Sequence, residues 1–355
     1  MRTRLVSSVP ALVFAGVSVL ALGCAGVGGE PVPGAPAHHV EGGFRNVGPT
    51  YPRAGGWTRF TFIVRRGWQS LVSPRTFDTP RETAEGLAAG RVLRAGPDPT
   101  VTWIGHATVL LRMDGLTILT DPNWSERASP LSWAGPRRLV PPGIPFEELP
   151  RVDVVLISHD HYDHLDLATV KRLAAEHDPL FVVPLKLKAW FADQGITRVE
   201  ERDWWQRVEL RGLTFVCVPA QHFSQRTLWD SNRRLWATWA VRGPSRRFYF
   251  TGDTGYFPGL AEIGKRLGPF DLAAVAIGAY VPAEIMRAVH VTPEEAVQAA
   301  EDVRARVLLG IHWGTFDLAE EPLGEPPERM RAEAARRGLG PDRAWILRIG
   351  ETRRW

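Results

Sequence analysis

The sequence predicts an α/β fold in which two mixed β-sheets pack face to face and helices cover their outer sides. Three observations carry that prediction. Strand-like and helix-like runs alternate from about Thr100 onward with no linker to split them. In each half the strands come before the helices, which suits two sheets between helices better than a doubly wound parallel sheet. The composition, 44% apolar and 23% charged over 355 residues, suits one large globular domain or two small ones and excludes collagen, coiled coil and disorder.

Taken in order, the chain begins with a basic Met1-Arg2-Thr3-Arg4, a mainly apolar Leu5 to Leu22, and Ala21-Leu22-Gly23-Cys24, which resembles a bacterial lipobox. This pattern predicts an export signal over residues 1–23 and a lipidated Cys24, hence an exported protein anchored to a bacterial membrane. A plain anchor or a non-lipidated signal are the alternatives, because Ala21 stands where Leu is usual. Glycine and proline then suggest a flexible tether through residue 42. Residues 43–97 are expected to form an extension packed on a core domain over 98–355. Without Arg2 and Arg4 the formal charge falls from +4 to +2, too weak a bias to argue for nucleic acid. No later run approaches the roughly 20 apolar residues of a membrane-spanning helix.

Within the core domain, Val101–Ile104 and Thr108–Met113 read as strands, and Asp114-Gly115 as a tight hairpin turn into Leu116–Thr120. Val152–Ser158 is a buried strand, and Leu167–Glu176 has helical spacing. Leu213–Val218, Leu235–Val241, Arg247–Thr251 and Val307–Ile311 are further strands. Thr292-Pro293-Glu294-Glu295 opens a helix that runs to about Arg304, with Thr as cap, Pro in the first turn and Glu295 closing a capping box.

The chemistry concentrates in Ser158-His159-Asp160-His161-Tyr162-Asp163-His164, directly after a buried strand. Imidazoles and carboxylates are the ligands zinc takes when thiolates are absent. Only Cys24 and Cys217 are present, so neither a disulfide framework nor a cysteine zinc knuckle can form. Cys217, within a strand, reads as inert core. His159 and His161 can hold one ion while Asp163 and His164 hold another. Further ligands must come from other strand ends, where His222, Asp253 and His312 stand. His177 ends a helix and reads as solvated.

His159-x-His161-x-Asp163-His164, with His222, Thr251-Gly252-Asp253-Thr254-Gly255 and His312, resembles the metallo-β-lactamase superfamily. Within it, Trp103-Ile104-Gly105-His106-Ala107-Thr108, Leu119-Thr120-Asp121-Pro122, Asp203-Trp204-Trp205 and Ile311-His312-Trp313-Gly314 resemble the N-acyl-phosphatidylethanolamine-hydrolysing phospholipase D family. Gly43-Phe44-Arg45-Asn46 is a weaker upstream match. The resemblance implies an αββα sandwich and two zinc ions per chain. One ion would be held by His159, His161 and His222, the other by Asp163, His164 and His312, with Asp253 bridging. It implies a hydroxide shared by the metals that attacks the phosphorus of a phospholipid or other phosphodiester. Asp163, Asp253 and His290 would be the catalytic groups, with His290 a hydrogen-bond donor or general acid.

His106 reads as fixing backbone near the site, Asp121 as orienting a ligand, and His38-His39 as part of the tether. Trp124, Trp133 and Trp229, in loops, are the better candidates for acyl-chain contact among 14 tryptophans. The rival readings are a lactone or small-ester hydrolase of the same superfamily, or a zinc-binding surface lipoprotein without activity. The absence of a cysteine ligand points away from β-lactam hydrolysis.

Overall fold

A computed structural model describes residues 29–49 and 51–355; the export signal and Cys24 lie outside the described residues. The chain opens with a ribbon of β1 (His39–Val40) and β2 (Gly43–Phe44), then helices α1 (Gly56–Val72) and α2 (Ala84–Ala95). A first sheet is laid down by β3 (Thr100–Gly105), β4 (Thr108–Met113), β5 (Leu116–Thr120), β6 (Val154–Leu156), β7 (Leu180–Pro184) and β8 (Val199–Arg202). Helices α3 (Leu167–Glu176) and α4 (Leu187–Asp193) fall between its last strands. The second sheet takes β9 (Arg207–Leu210), β10 (Leu213–Val218), β11 (Thr238–Arg242), β12 (Arg247–Phe250), β13 (Phe270–Ala276), β14 (Ala305–Ile311) and β15 (Ala344–Trp345). Its helices are α5 (Gly259–Leu267), α6 (Ala283–Met286), α7 (Pro293–Asp302) and α8 (Glu325–Arg336). Finally β16 (Thr352–Arg354) returns to pair with β3.

The expected pair of mixed sheets is therefore present, with seven strands in each among the described residues. Each sheet runs antiparallel on one side (β16-β3-β4-β5 and β9-β10-β11-β12) and parallel on the other (β5-β6-β7-β8 and β12-β13-β14-β15). The parallel steps need long crossovers: helices supply them except from β5 to β6, where the mainly irregular segment 121–153 crosses over.

Alternation sorts the first sheet's side chains. Val109, Leu111, Val154 and Leu156 enter the large core shared with Phe215, Trp239, Phe248 and Leu272 of the second sheet. Their neighbours Leu110, Val155 and Ile157 face the other way, against Val170 and Leu173 of α3 and Phe191 of α4. Each fully buried Leu, Val or Phe contributes about 1.5–3 kcal/mol.

Local signals hold where they are strongest. Asp114 and Gly115 both take positive φ, 48° and 79°, and join Met113 to Leu116 as a two-residue hairpin. Thr292 and Glu295 form the reciprocal capping box of α7. The strand expected from Leu235 begins only at Thr238, because Leu235 and Ala237 donate instead to Leu185 O and Ser158 O.

The tether ends earlier than its composition suggests. Val40 and Phe44 are buried, and His38 and His39 both donate to Asp203, at 2.6 and 2.7 Å. His38 also stacks on Trp204. These contacts outweigh the backbone entropy that glycine and proline would otherwise retain.

Candidate metal centre

The strand ends place the predicted ligands together. The loop after β6 brings His159, His161, Asp163 and His164; the segments after β10, β12 and β14 bring His222, Asp253 and His312. His159, His161 and His222 form one group of converging ligand atoms, and Asp163, His164 and His312, joined by His106, form another. All are buried. In the first group His161 Nδ1 lies 2.8 Å from His159 Nε2 and 3.2 Å from His222 Nε2. In the second, Asp163 Oδ2 lies 3.3 Å from His164 Nε2 and 3.6 Å from His312 Nε2. Ligands about 2.0–2.1 Å from a tetrahedral zinc stand about 3.3 Å apart, so both groups have the spacing of metal-binding sets.

Asp253 stands between them. Its Oδ2 is 3.1 Å from His164 Nε2 and 3.8 Å from His222 Nε2, and its Oδ1 is 3.1 Å from His312 Nε2. Only glycine allows this approach. A Cβ on Gly252, at φ 52°, would come within 2.3 Å of Ser158 Cβ.

Hydrogen bonds behind the rings set which nitrogens are bare. His222 Nδ1 donates to Val289 O at 2.9 Å, and His164 Nδ1 donates to Asp121 Oδ2 at 2.7 Å. Ser158 Oγ donates to the same carboxylate oxygen and receives His159 Nδ1 at 2.9 Å. The Nε2 atoms of His159, His164 and His222 therefore present lone pairs inward. One proton on His161 Nδ1 cannot satisfy both lone pairs facing it. His164 Nε2, His312 Nε2 and Asp253 Oδ1 are buried without a hydrogen-bond partner although they lie close together. Two imidazole nitrogens and a carboxylate oxygen buried close together without hydrogen bonds fit a metal ion.

Electrostatics agree. Burial works against ionisation of Asp163 and Asp253, but His164 and its neighbours overcome it and hold both carboxyls well below their ordinary value. Burial also opposes charge on His164 and His312, yet Asp253 and Asp163 raise both, His312 to about 9. Without metal, protons on these two rings supply the positive charge the carboxylates demand. His159, His161 and His222 are lowered, by burial first, and stay neutral, as ligands must.

Several residues were not legible as parts of the site. His106, expected to fix the backbone near the site, donates Nε2–H to Asp163 Oδ2 at 2.9 Å. Ser158 links Asp121 to His159. Asn46 donates to His222 O at 2.9 Å, receives His222 N at 3.2 Å and receives Trp236 Nε1 at 2.9 Å. Asp160 turns away from the ligands and pairs with Arg234. His177 is more than a solvated helix end: it receives Val152 N–H.

His290 Nδ1 lies 3.9 Å from Asp253 Oδ2, buried and unpartnered. The site opens into a cleft with His161, Asp163, Asp253 and His290 at its floor. Phe62 and Ile63 of α1, Phe223, Ile285 and Met286 line its walls. Of the tryptophans expected at the substrate, Trp124 is tied to Ile144 O and packs on Phe146, whereas Trp133 and Trp229 are exposed.

A family model described as Beta-lactamase superfamily domain matches residues 117–313. The chain is 47% identical over 242 residues to N-acyl-phosphatidylethanolamine-hydrolyzing phospholipase D 1 of Caenorhabditis elegans, covering 65% of this chain and 68% of the nematode protein. It is 33% identical over 258 residues to the mitochondrial N-acyl-phosphatidylethanolamine-hydrolyzing phospholipase D of Saccharomyces cerevisiae, covering 71% of this chain and 55% of the yeast protein. Among solved structures, Igni18, a metallo hydrolase from Ignicoccus hospitalis, shares the fold with a TM-score of 0.54 at 20% identity, over 72% of this chain and 97% of that one.

Proposed function

We propose, from the premise that this chain belongs to the metallo-β-lactamase superfamily, that it is a binuclear zinc hydrolase of phosphodiester bonds. Its substrate in this reading is N-acyl-phosphatidylethanolamine or a related glycerophospholipid. The observation that carries the proposal is the meeting of two ligand triads at Asp253 on the floor of a cleft with apolar walls. Two zinc ions bound there would supply an activated water and positive charge for a phosphoryl group that gains negative charge in its transition state.

The chain's own residues do the rest. The His159, His161 and His222 set and the Asp163, His164 and His312 set hold their positions through Asp121, Ser158, His106 and Asn46. Burial first of all lowers His290 to about 4, so its imidazole is neutral at pH 7. That suits donation of an N–H to a phosphoryl oxygen better than delivery of a proton to the leaving group. The apolar wall of α1 and α6 suits an acyl chain. Trp57, Trp68 and Trp229 are 76%, 64% and 81% exposed, side chains that favour a lipid–water boundary. An export signal and lipidated Cys24 would keep such an enzyme at a membrane, and Cys24→Ser should then accumulate as unprocessed precursor.

The test is turnover by the purified protein of a panel of phospholipids, bis(p-nitrophenyl) phosphate, lactones and simple esters. Release of phosphatidic acid from the N-acyl lipid, abolished by chelator and restored by zinc, is the expected result. Turnover of lactones or esters with none of any phosphodiester would overturn the proposal.

A further inference from the structure

We infer that Arg59 is an anion-binding residue of the cleft and receives the negative group of an amphiphile whose hydrocarbon chain lies along Phe62, Ile63, Ile285 and Met286. The inference rests on the reading of this cleft as the substrate entrance and names what enters it. Arg59 lines the cleft on α1 and is only 8% exposed. Its Nε is buried without a hydrogen-bond partner, and among the described residues its guanidinium is in no ion pair. Neighbouring arginines of the cleft differ. Arg66 pairs with Asp317 at 2.5 Å, and Arg53 bonds His222 O and lies over Phe223.

The helix gives Arg59 no relief. The first turn of α1 has no acidic residue, and Gly55 offers no side-chain cap. A cation near a helix N-terminus faces the positive end of the macrodipole. A buried charge without a partner is destabilising. Three unfavourable features at one residue call for a partner from outside the chain. A guanidinium matches a carboxylate, sulfonate or phosphate with two parallel N–H groups. Beside it, Phe62 and Ile63 pack against Ile285 and Met286 as a small apolar cluster of their own, suited to a hydrocarbon chain. The ligand class is an anionic amphiphile. Its charge is either the reacting phosphodiester or a second anionic group on the same lipid.

Binding is measured on the full metal-loaded protein with decanesulfonate, a poor metal ligand, and with neutral decyl maltoside. Wild type should bind the sulfonate at least tenfold more tightly, Arg59→Gln should lose that preference, and Arg59→Lys should keep part of it. Equal affinities in wild type, or an unchanged preference in Arg59→Gln, would overturn the inference. Removing an unpartnered buried charge should leave the melting temperature unchanged or raise it. A fall of more than about 5 °C would show a structural arginine and overturn it as well. Turnover then separates the two sources of charge. A uniform loss of kcat/KM across lipids assigns the reacting phosphate, and a loss confined to lipids with an added carboxylate assigns the second group. Arg59-dependent sulfonate binding in a protein that cleaves no phosphodiester would refute the proposed reaction and leave this inference standing.

Discussion

Asp121→Asn tests whether one buried carboxylate organises both ligand sets. Asp121 is fully buried; its Oδ1 receives Ser158 N at 2.7 Å, and its Oδ2 receives Ser158 Oγ at 2.5 Å and His164 Nδ1 at 2.7 Å. An amide can keep the first bond but puts an N–H2 where two donors already point. His164 would then move its proton to Nε2 and lose the lone pair aimed at the metal site. Two bonds to a charged acceptor, at about 1.5–3 kcal/mol each, represent about 3–6 kcal/mol, part of it recovered as Ser158 rotates. Groups behind metal ligands typically change metal affinity by about 10–100-fold, or about 1.4–2.8 kcal/mol. Metal content after dialysis against graded chelators should fall below that of wild type, and phosphodiester turnover should fall at least tenfold. Ser158→Ala is the internal comparison, since Ser158 Oγ reaches His159 and leaves the bond from His164 to Asp121 in place. Wild-type metal affinity in Asp121→Asn would refute the argument.

Three further outcomes are expected. His164 and His312 are raised above 6.5 by Asp253 and Asp163 against the effect of burial, His312 to about 9. Their protons therefore stabilise the metal-free protein fully below about pH 6.5; the His312 contribution is lost as pH rises through about 9, and that of His164 as pH rises through its own raised value. The melting temperature of metal-free protein should fall over this range, and metal affinity should rise with pH as these protons become easier to displace; a flat affinity from pH 6.5 to 8.5 would contradict this. Asn46→Ala removes the paired bonds to His222 and should weaken metal binding at the His159, His161 and His222 set by roughly tenfold, read by chelator competition. His290→Ala should keep its metals and lose turnover by about 10²-fold or more. The loss should be equal for lipid and nitrophenyl leaving groups, because a neutral ring positions phosphate; a loss confined to poor leaving groups would make it the acid.

The sequence was most legible where one local rule dominates. Short apolar, β-branched runs revealed β3, β4, β5 and β10, the Asp114-Gly115 turn revealed the hairpin of β4 and β5, and Thr292 with Glu295 revealed α7. All seven expected ligands converge because each follows a strand into the same end of the sandwich. Helix α1 was not legible. Its start has neither a side-chain cap at Gly55 nor an acidic first turn, the signals that mark a helix N-terminus, so the helical spacing of Trp57, Phe60, Val64 and Trp68 stood without a boundary. Strand β13, Phe270–Ala276, carries Ala273, Ala274 and Ala276, residues that favour helix over strand, so its buried run cannot be told from a buried helix. Arg59 gave no local signal and Asn46 only a weak upstream resemblance, since the isolation of one and the bonds of the other depend on segments far away in sequence.

Those two residues and His106 share a feature that bears on how the site works. The matched superfamily segment is 117–313, and all three lie before it. His106 holds Asp163 of one ligand set, while Asn46 holds His222 of the other. The seven expected ligands all lie inside the segment, but each group is steadied by one side chain from outside it. Positive φ at His106, Asp121 and His312, 51°, 33° and 63°, shows how firmly the surrounding packing imposes these turns, because non-glycine residues rarely adopt that region unaided. His312 N donates to His106 O, so the two strained turns brace each other across the sandwich. The superfamily segment therefore carries the expected ligands, while residues before it brace them and α1 lines the cleft above them.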